Sequence, residues 1–234
     1  MNPYNPYAQP LAGAQVGSDT SAFFRKVYAY MAGGLFATGV TATVVASNET
    51  LVNMILGNRI VFYGLLIAEF IMVLAFSKVV ERLSTGAAAA FFFAYAVLNG
   101  LTLSVIFLVY TASSIGSTFF VTAGTFGALS AYGYVTKRDL TGVGNFAMMG
   151  LIGLIIASVV NIFLNSPMIY WLTTFVGVIV FTALTAYDTQ KLKQFAVSSG
   201  PEQQSKVALQ GALMLYLDFI NLFLYLLRVF GRRR

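Results

Sequence analysis

The sequence contains no cysteine and no histidine. Without thiolate or imidazole groups, the chain cannot build the common zinc, haem or iron–sulfur sites, and it lacks the base of a Ser-His-Asp triad. Disulfide bonds are excluded too, so cysteine usage says nothing about the redox compartment. Because these absences remove most familiar enzyme mechanisms, we expect a protein that is not an enzyme and has no cofactor.

Charged residues are equally scarce. They make up 9% of the 234 residues, whereas 58% are hydrophobic, and soluble domains have about 25% charged residues. Eight acidic and fourteen basic side chains cannot cover such a chain with charge, so most of its surface must face lipid. The net charge of +6 does not indicate nucleic-acid binding, because Lys and Arg flank apolar runs. The composition predicts a polytopic membrane protein whose surroundings are the lipid bilayer.

A polar N-terminal segment is followed by seven apolar runs. Each run is close to the roughly 20 residues that a helix needs to cross the hydrocarbon core of a bilayer. The segment Met1–Ser18 repeats Asn-Pro-Tyr and has no hydrophobic period, so we interpret residues 1–22 as a disordered cytoplasmic tail. The long runs do not alternate as barrel strands do, so residues 23–234 are predicted to form an all-α, seven-helix transmembrane domain. The predicted spans are Val27–Ala46, Ile60–Phe76, Ala87–Tyr110, Thr118–Val135, Phe146–Leu164, Met168–Tyr187 and Val207–Phe230.

Lys and Arg are distributed unevenly between the segments that connect these runs. Alternate segments, beginning with the one before the first run, hold nine of them, and the other connecting segments hold only Arg59. By the positive-inside rule the N-terminus is predicted to be cytoplasmic. Seven crossings would then place Arg232, Arg233 and Arg234 outside, although a basic end prefers the inside. Either the last run crosses late despite its charges, or it is a re-entrant or bundle-buried helix.

Ionisable side chains inside apolar runs are costly in lipid and therefore indicate function. They are Glu69 in the second run, Asp188 at the end of the sixth, and Asp218 and Arg228 in the seventh. Asp218 is the most informative, because it lies near mid-depth, where a short side chain cannot reach water along the helix. It must face protein or a water-filled path.

The seventh run has one polar face. At about 100° per residue, Asp218, Asn221 and Tyr225 share a stripe with Arg228 at its margin, and we predict that this stripe faces inward and lines a pore. The Gly200-Pro201 turn follows Asp188 by 12 residues and precedes Asp218 by 17. The resulting offset of roughly 7 Å is small enough for helix tilt to absorb, so the two carboxylates are predicted to be neighbours.

Two carboxylates in a shared site of low dielectric constant repel each other when both are ionised, so the pair is predicted to take up protons as a coupled unit. Deprotonated, Asp188 and Asp218 offer the hard oxygen ligands that Ca²⁺ prefers, which makes them a candidate Ca²⁺ site where protons compete. A basic residue could hold the ionised pair, and the candidates are Lys78, Arg82 and Arg228. A structural role, in which each Asp only fixes helix register, stays open.

Several segments carry a specific resemblance. They are Thr-Ala-Tyr-Asp-Thr-Gln-Lys-Leu-Lys at Thr185–Lys193, Leu-Tyr-Leu-Asp-Phe-Ile-Asn-Leu-Phe-Leu at Leu215–Leu224, and Leu-Leu-Arg-Val-Phe-Gly at Leu226–Gly231. The chain closely resembles the Bax inhibitor, or transmembrane Bax-inhibitor-motif, family. Tyr-Gly-Tyr-Val-Thr-Lys-Arg-Asp-Leu at Tyr132–Leu140 resembles its bacterial branch. The likeness extends from about Ala22 to the C-terminus.

The resemblance implies six helices around a central C-terminal helix and a pH-sensitive Ca²⁺ leak in a bacterial inner membrane. It implies that Asp188 and Asp218 form the pH sensor, held while charged by a basic latch at the inner end of the second helix. The segment after Ala75-Phe76 departs from the family pattern. Lys78 lies nearer the expected latch position, while Arg82 has the better chemistry for a bidentate hold. Glu69 resembles a family acid and is assigned to the outer path.

Two other functions stay open. The protein could be a membrane interaction protein that restrains other membrane proteins, such as a protease, through the tail Met1–Ser18. It could also be a proton-coupled carrier of small solutes, since carboxylate pairs serve transporters as well.

Overall fold

The computed structural model describes residues 10–200 and 203–234, with side chains from Thr20 onward. The described chain is helical apart from its connecting segments and one isolated bridge between Tyr110 and Arg233. The helices are α1 (Pro10–Ala46), α2 (Glu49–Ile55), α3 (Arg59–Val79), α4 (Thr85–Leu103), α5 (Val105–Val109), α6 (Ala112–Val135), α7 (Thr141–Leu164), α8 (Pro167–Ser198) and α9 (Gln204–Phe230). The prediction of an all-α protein is confirmed.

The predicted tail, residues 1–22, overlaps α1. Residues 1–9 lie outside the described part, and α1 begins at Pro10. Thr20 is already buried, and Phe23 and Val27 are among the most buried side chains. Packing therefore begins slightly before the boundary predicted from the apolar run, because polar Thr20 lies on the buried face of the same helix.

Short polar side chains start most of the long helices. The side chains of Asn58, Ser84, Thr111 and Ser166 each accept a hydrogen bond from a backbone N–H in the first turn of α3, α4, α6 and α8 respectively. These bonds satisfy donors that a helix start leaves without an intrahelical partner. At the other end of α7, Asn165 takes the left-handed conformation with φ of 49°, which ends that helix before Pro167 begins the next.

Six helices in the described part of the chain are long and apolar enough to cross a membrane. They are α1 from Thr20, α3, α4 with α5, α7, α8 and α9. The remaining long helix, α6, has 24 residues but is rich in Gly, Ser and Thr, which makes it less apolar than the other six. The seven-helix count therefore stays a prediction.

The loops that carry Lys and Arg gather at one end of the bundle, which we call the basic end. There Lys26 Nζ donates to Ser205 Oγ at 3.4 Å, Lys206 Nζ donates to the Glu81 carbonyl at 2.9 Å, and Lys193 Nζ donates to the Tyr134 carbonyl at 2.8 Å. The segments predicted to share one membrane face thus lie together. That this face is cytoplasmic stays a prediction.

The C-terminus lies at the opposite end, the C-terminal end. The Thr111 amide donates to the Arg232 carbonyl at 3.0 Å, and the Arg234 amide donates to the Val109 carbonyl at 3.0 Å. Since α9 starts beside Glu81 and Lys26 at the basic end, it runs the whole length of the bundle. The helix does not turn back, so it is not re-entrant, whereas the bundle-buried alternative agrees with its enclosure by the other helices.

Helix α9 is the most enclosed of the six apolar helices. In the most apolar 18-residue stretch of α9, 56% is buried inside the structure, whereas the corresponding stretches of α3 and α7 are each 11% buried. It packs against α1, α4, α6 and α8, while α3 packs against α4 and α7 packs against α8. Tyr216, Leu215 and Leu222 on α9 are fully buried. The bundle is therefore built around its last helix, with α3 and α7 on the periphery.

Close approach between α6 and α8 depends on Gly133. A Cβ atom at this position would collide with the backbone carbonyl of Ala186. Gly124 and Gly127 lie on the same helix, but a Cβ atom at either position meets no atom within 4 Å. The same residue type lies on both faces of α6, and only one face meets a neighbouring backbone.

These two kinds of glycine give opposite expectations for alanine substitution. Gly133→Ala should destabilise the protein by about 1–3 kcal/mol, because the added methyl group forces α6 away from α8. Gly127→Ala should leave stability unchanged or raise it by about 0.5–1 kcal/mol, since alanine favours the helix. The measurement is the thermal unfolding midpoint of both purified variants in detergent. Equal midpoints would contradict the assigned contact.

Candidate functional site

The aspartates predicted from the last two apolar runs meet at the contact between α8 and α9. Phe181 stacks on Tyr225 with ring centroids 5.7 Å apart, which fixes the register of the antiparallel helices. Asp188 lies seven residues after Phe181, and Asp218 lies seven residues before Tyr225. Seven residues are about two turns on each helix, so the carboxyl groups reach the same level. They lie within hydrogen-bonding distance of each other.

Both carboxyl groups are enclosed. Asp188 is 8% exposed and Asp218 is 4% exposed. Asp218 Oδ2 is buried and has no hydrogen-bond donor among the described residues. A buried polar atom without a partner is rare in native proteins and requires an explanation. The neighbouring carboxyl group can supply a donor only when one of the two acids carries a proton.

A basic side chain that acts on the acid pair belongs to α8 itself. Lys191 acts electrostatically on Asp188, from which it is separated by three residues and hence by less than one helical turn. Its ammonium group lies 5.8 Å from the centroids of the Tyr187 and Phe195 rings. The predicted latch residues, Lys78 and Arg82, are exposed near the end of α3, at the basic end. Their role as a latch stays a prediction.

Glu69 belongs to a separate buried network. Thr102 Oγ1 donates to Glu69 Oε1 at 2.7 Å, and Asn99 Nδ2 donates to Glu69 Oε2 at 3.3 Å. The Tyr216 hydroxyl donates to Asn99 Oδ1 at 3.2 Å and lies 2.7 Å from the hydroxyl of Thr38. This chain of contacts joins α3, α4, α9 and α1. Unlike Asp218, Glu69 has a neutral donor on each of its carboxyl oxygens.

One cavity of about 740 Å³ brings most of the predicted site residues together. It lies between α3, α7 and the polar stripe of α9, and most of its wall is apolar. Among the predicted residues it is lined by Glu69, Asp188, Asp218, Asn221 and Arg228. Tyr225 is not in the lining; its ring packs instead on Phe181 and under the guanidinium group of Arg228.

A second cavity, of about 340 Å³, lies beside the first and towards the basic end. It is lined by the last turns of α3, by Leu192 on α8 and by Gln210 and Gly211 near the start of α9. Both cavities share the apolar side chains of Val73, Met214 and Leu217. These three residues, which we call the apolar constriction, separate the cavities next to Asp218.

The acid pair is a weak site for a resident metal ion. The described residues contain no cluster of three or more Asp, Glu, His or Cys side chains that could hold one. Ca²⁺ takes six to eight oxygen ligands in proteins. Two carboxylates fit brief contact with a passing cation better than permanent binding, so the Ca²⁺ site predicted at Asp188 and Asp218 stays a prediction.

Sequence reasoning missed the partners of Glu69. Asn99 and Thr102 lie in an otherwise apolar run. The polar amide of Asn99 inside this run could have indicated a buried hydrogen-bond partner for Glu69. Tyr216 could not be distinguished from the many other aromatic residues. Lys191 could have been found from its spacing to Asp188, since side chains three apart on a helix are neighbours.

Comparison with known proteins gives a consistent result. The family model described as "Inhibitor of apoptosis-promoting Bax1" matches residues 20–234. The protein called "Inner membrane protein YbhL" of Escherichia coli strain K12 is 48% identical over 229 residues, covering 97% of this chain and 95% of the relative. An uncharacterised protein of Rickettsia prowazekii is 45% identical and covers 91% and 90% of the two chains. One of Borreliella burgdorferi is 43% identical, covering 91% and 92%.

The match covers all the apolar helices and both aspartate-bearing motifs. Together with the six apolar helices, the likeness to an inner membrane protein supports a multi-pass protein of a bacterial inner membrane. The chain belongs to the Bax inhibitor family of membrane proteins.

Proposed function

We propose that the protein is a pH-sensitive leak for Ca²⁺ and related cations, gated by Asp188 and Asp218. The observation that carries the proposal is the pair of enclosed carboxyl groups that face each other, one of them with an unpaired oxygen. Such a pair changes its net charge when it binds one proton. It also lines the larger cavity, where that charge acts on any cation present.

The direction of the response follows from the charges. At higher pH both carboxyl groups are ionised, so they repel each other and attract a basic side chain that bridges them. At lower pH a proton bound between them satisfies Asp218 Oδ2 and weakens that attraction. The bridge is then released, and the flux of Ca²⁺ rises as the pH falls. Asp188 and Asp218 are therefore the sensor, and Lys78 or Arg82 is the latch.

The two cavities supply a route for the ion. The larger cavity carries Glu69, Asn221 and the acid pair, and the smaller one leads on to the basic end. Between them, the apolar constriction of Val73, Met214 and Leu217 offers no ligand to a cation and excludes water while it is narrow. Met214 and Leu217 lie on the same helix as Asp218. A shift of α9 after protonation would therefore widen the constriction.

The sensor is tested by removing its charge. In liposomes loaded with a Ca²⁺ dye, wild-type flux should rise on the order of tenfold as the pH is lowered through the titration of the pair. Asp188→Asn and Asp218→Asn should each give a flux that no longer depends on pH, because the remaining carboxyl group has no second acid with which to share a proton.

The matched control is Asp139→Asn, which removes the same charge from the loop between α6 and α7. Hydrogen bonds from the hydroxyl and the amide of Thr141 hold the pKa of Asp139 below its usual value, so this exposed carboxylate keeps its charge through the tested range. Its variant should keep the wild-type pH profile. An unchanged profile in Asp218→Asn, or no flux in any protein, would contradict the proposal.

The latch is identified by charge removal at three positions. Lys78→Gln or Arg82→Gln should raise flux at neutral pH towards its acid value, because the ionised pair loses its partner. Lys191→Gln tests the basic group on α8 that acts electrostatically on Asp188. A raised neutral flux in Lys191→Gln alone would move the latch from α3 to α8, and no change in all three would exclude a latch at these positions.

The apolar constriction is tested with two leucines of α9. Leu217→Ala should raise flux at neutral pH several-fold, because the shortened side chain widens the narrowest segment between the cavities. Leu224→Ala removes the same atoms from the wall of the larger cavity, away from the constriction. It should leave flux near the wild-type value. Equal fluxes in the two variants would show that the ion does not pass Leu217.

A further inference from the structure

Arg228 is a charged residue of α9 whose described partners are aromatic rings. Its guanidinium carbon lies 5.1 Å from the ring centroid of Tyr225 and 5.5 Å from that of Tyr170. Stacking of this kind holds the plane of the guanidinium group and leaves its N–H donors available at the edge. Arg228 also lines the larger cavity, two residues before the end of α9. At that depth it meets the boundary between hydrocarbon and water.

A second guanidinium group lies at the same tyrosine. Arg233 Nη2 donates a hydrogen bond to the Tyr170 hydroxyl at 3.1 Å. Its backbone pairs with Tyr110 in an isolated bridge. The backbone and the side chain of Arg233 are therefore each held by a contact. Tyr170 therefore touches two positive groups, one over its ring and one at its hydroxyl. We call Tyr170, Tyr225, Arg228 and Arg233 the arginine–tyrosine cluster.

The cavity beside this cluster is open towards the bilayer. Its outer wall comes from α3 and α7, the two least buried helices. Leu66 and Phe70 on α3, and Met148 and Ile155 on α7, line the cavity and yet remain exposed at the lipid-facing surface. A volume of about 740 Å³ lies within the range of roughly 300–1,000 Å³ found for pockets that hold small organic ligands.

We propose that this place binds one anionic phospholipid. The phosphate lies against Arg228 and Arg233 at the C-terminal end, and one acyl chain lies along the outer rim of the cavity, where α3 and α7 face the bilayer, and leaves the acid pair on α8 and α9 uncovered. Guanidinium groups match phosphate oxygens in geometry and charge. The apolar wall matches a hydrocarbon chain, and the opening between the helices lets the chain enter from the side. A free phosphate ion would use the arginines but not the wall.

A tryptophan beside the arginine–tyrosine cluster allows lipid contact to be measured by fluorescence. Trp171 is the only tryptophan in the sequence, it adjoins Tyr170, and it is 45% exposed. Bromine atoms on a lipid chain quench tryptophan fluorescence on contact. The protein is reconstituted in phosphatidylcholine bilayers that contain increasing fractions of brominated phosphatidylglycerol or brominated phosphatidylcholine. The ratio of the two quenching curves gives the preference of the site for the anionic lipid.

We expect wild-type protein to prefer phosphatidylglycerol on the order of 25-fold, since each of the two arginines near the surface contributes about fivefold. Arg228→Gln should reduce the preference about fivefold, whereas Arg228→Lys, which keeps the charge, should retain most of it. The control Arg25→Gln removes the same charge at the basic end and should behave as wild type. Millimolar inorganic phosphate should not relieve the quenching.

An equal preference in wild type and Arg228→Gln would overturn the proposal, and so would a loss in Arg25→Gln of the same size. Relief of the quenching by inorganic phosphate would replace the lipid with a free anion. The readout is lipid contact and not ion flux. Failure of this proposal and failure of the proposed leak are therefore separate results.

Discussion

A carboxyl group cannot face hydrocarbon without a large cost in free energy, and three acids of this chain lie inside apolar helices. All three are buried in the structure. Glu69 turns α3 towards α4, while Asp188 and Asp218 turn α8 and α9 towards each other. Helix α9, which carries Asp218, is also the helix on which α1, α4 and α6 pack, so burial of this aspartate and formation of the core involve the same central helix.

The acids differ in what surrounds them. Glu69 receives hydrogen bonds on both carboxyl oxygens from neutral donors, and its network ties four helices together. Asp218 has an oxygen without a donor, and its neighbour is a second acid. A fully satisfied network favours one arrangement of the helices. The contact between α8 and α9 differs, because it contains a buried oxygen atom without a hydrogen-bond donor among the described residues.

Residue pattern alone predicted the features that hydrocarbon enforces: apolar helices, an inward polar stripe on the last one, and the approach of Asp188 to Asp218. It failed where two faces of a helix carry the same residue type. Gly127 and Gly133 are indistinguishable in sequence, but only Gly133 meets a backbone. Likewise, the hydroxyl of Tyr216 finds its partners only after α1 and α4 are in place. The composition of α6 also depends on packing against other helices. Its buried polar side chains, Thr118, Thr122 and Ser130, make the helix less apolar, and they face neighbouring helices.

The central position of α9 has a consequence for biosynthesis. Among the described helices α9 is made after the others, so the earlier helices cannot close around their core until α9 has been synthesised. Until Tyr216 arrives, Thr38 and Asn99 lack the hydroxyl group that joins them. The groove closes only when the final residues pair with Val109 and Thr111. A bundle that lacks α9 therefore has an open, polar-lined cleft between its other helices.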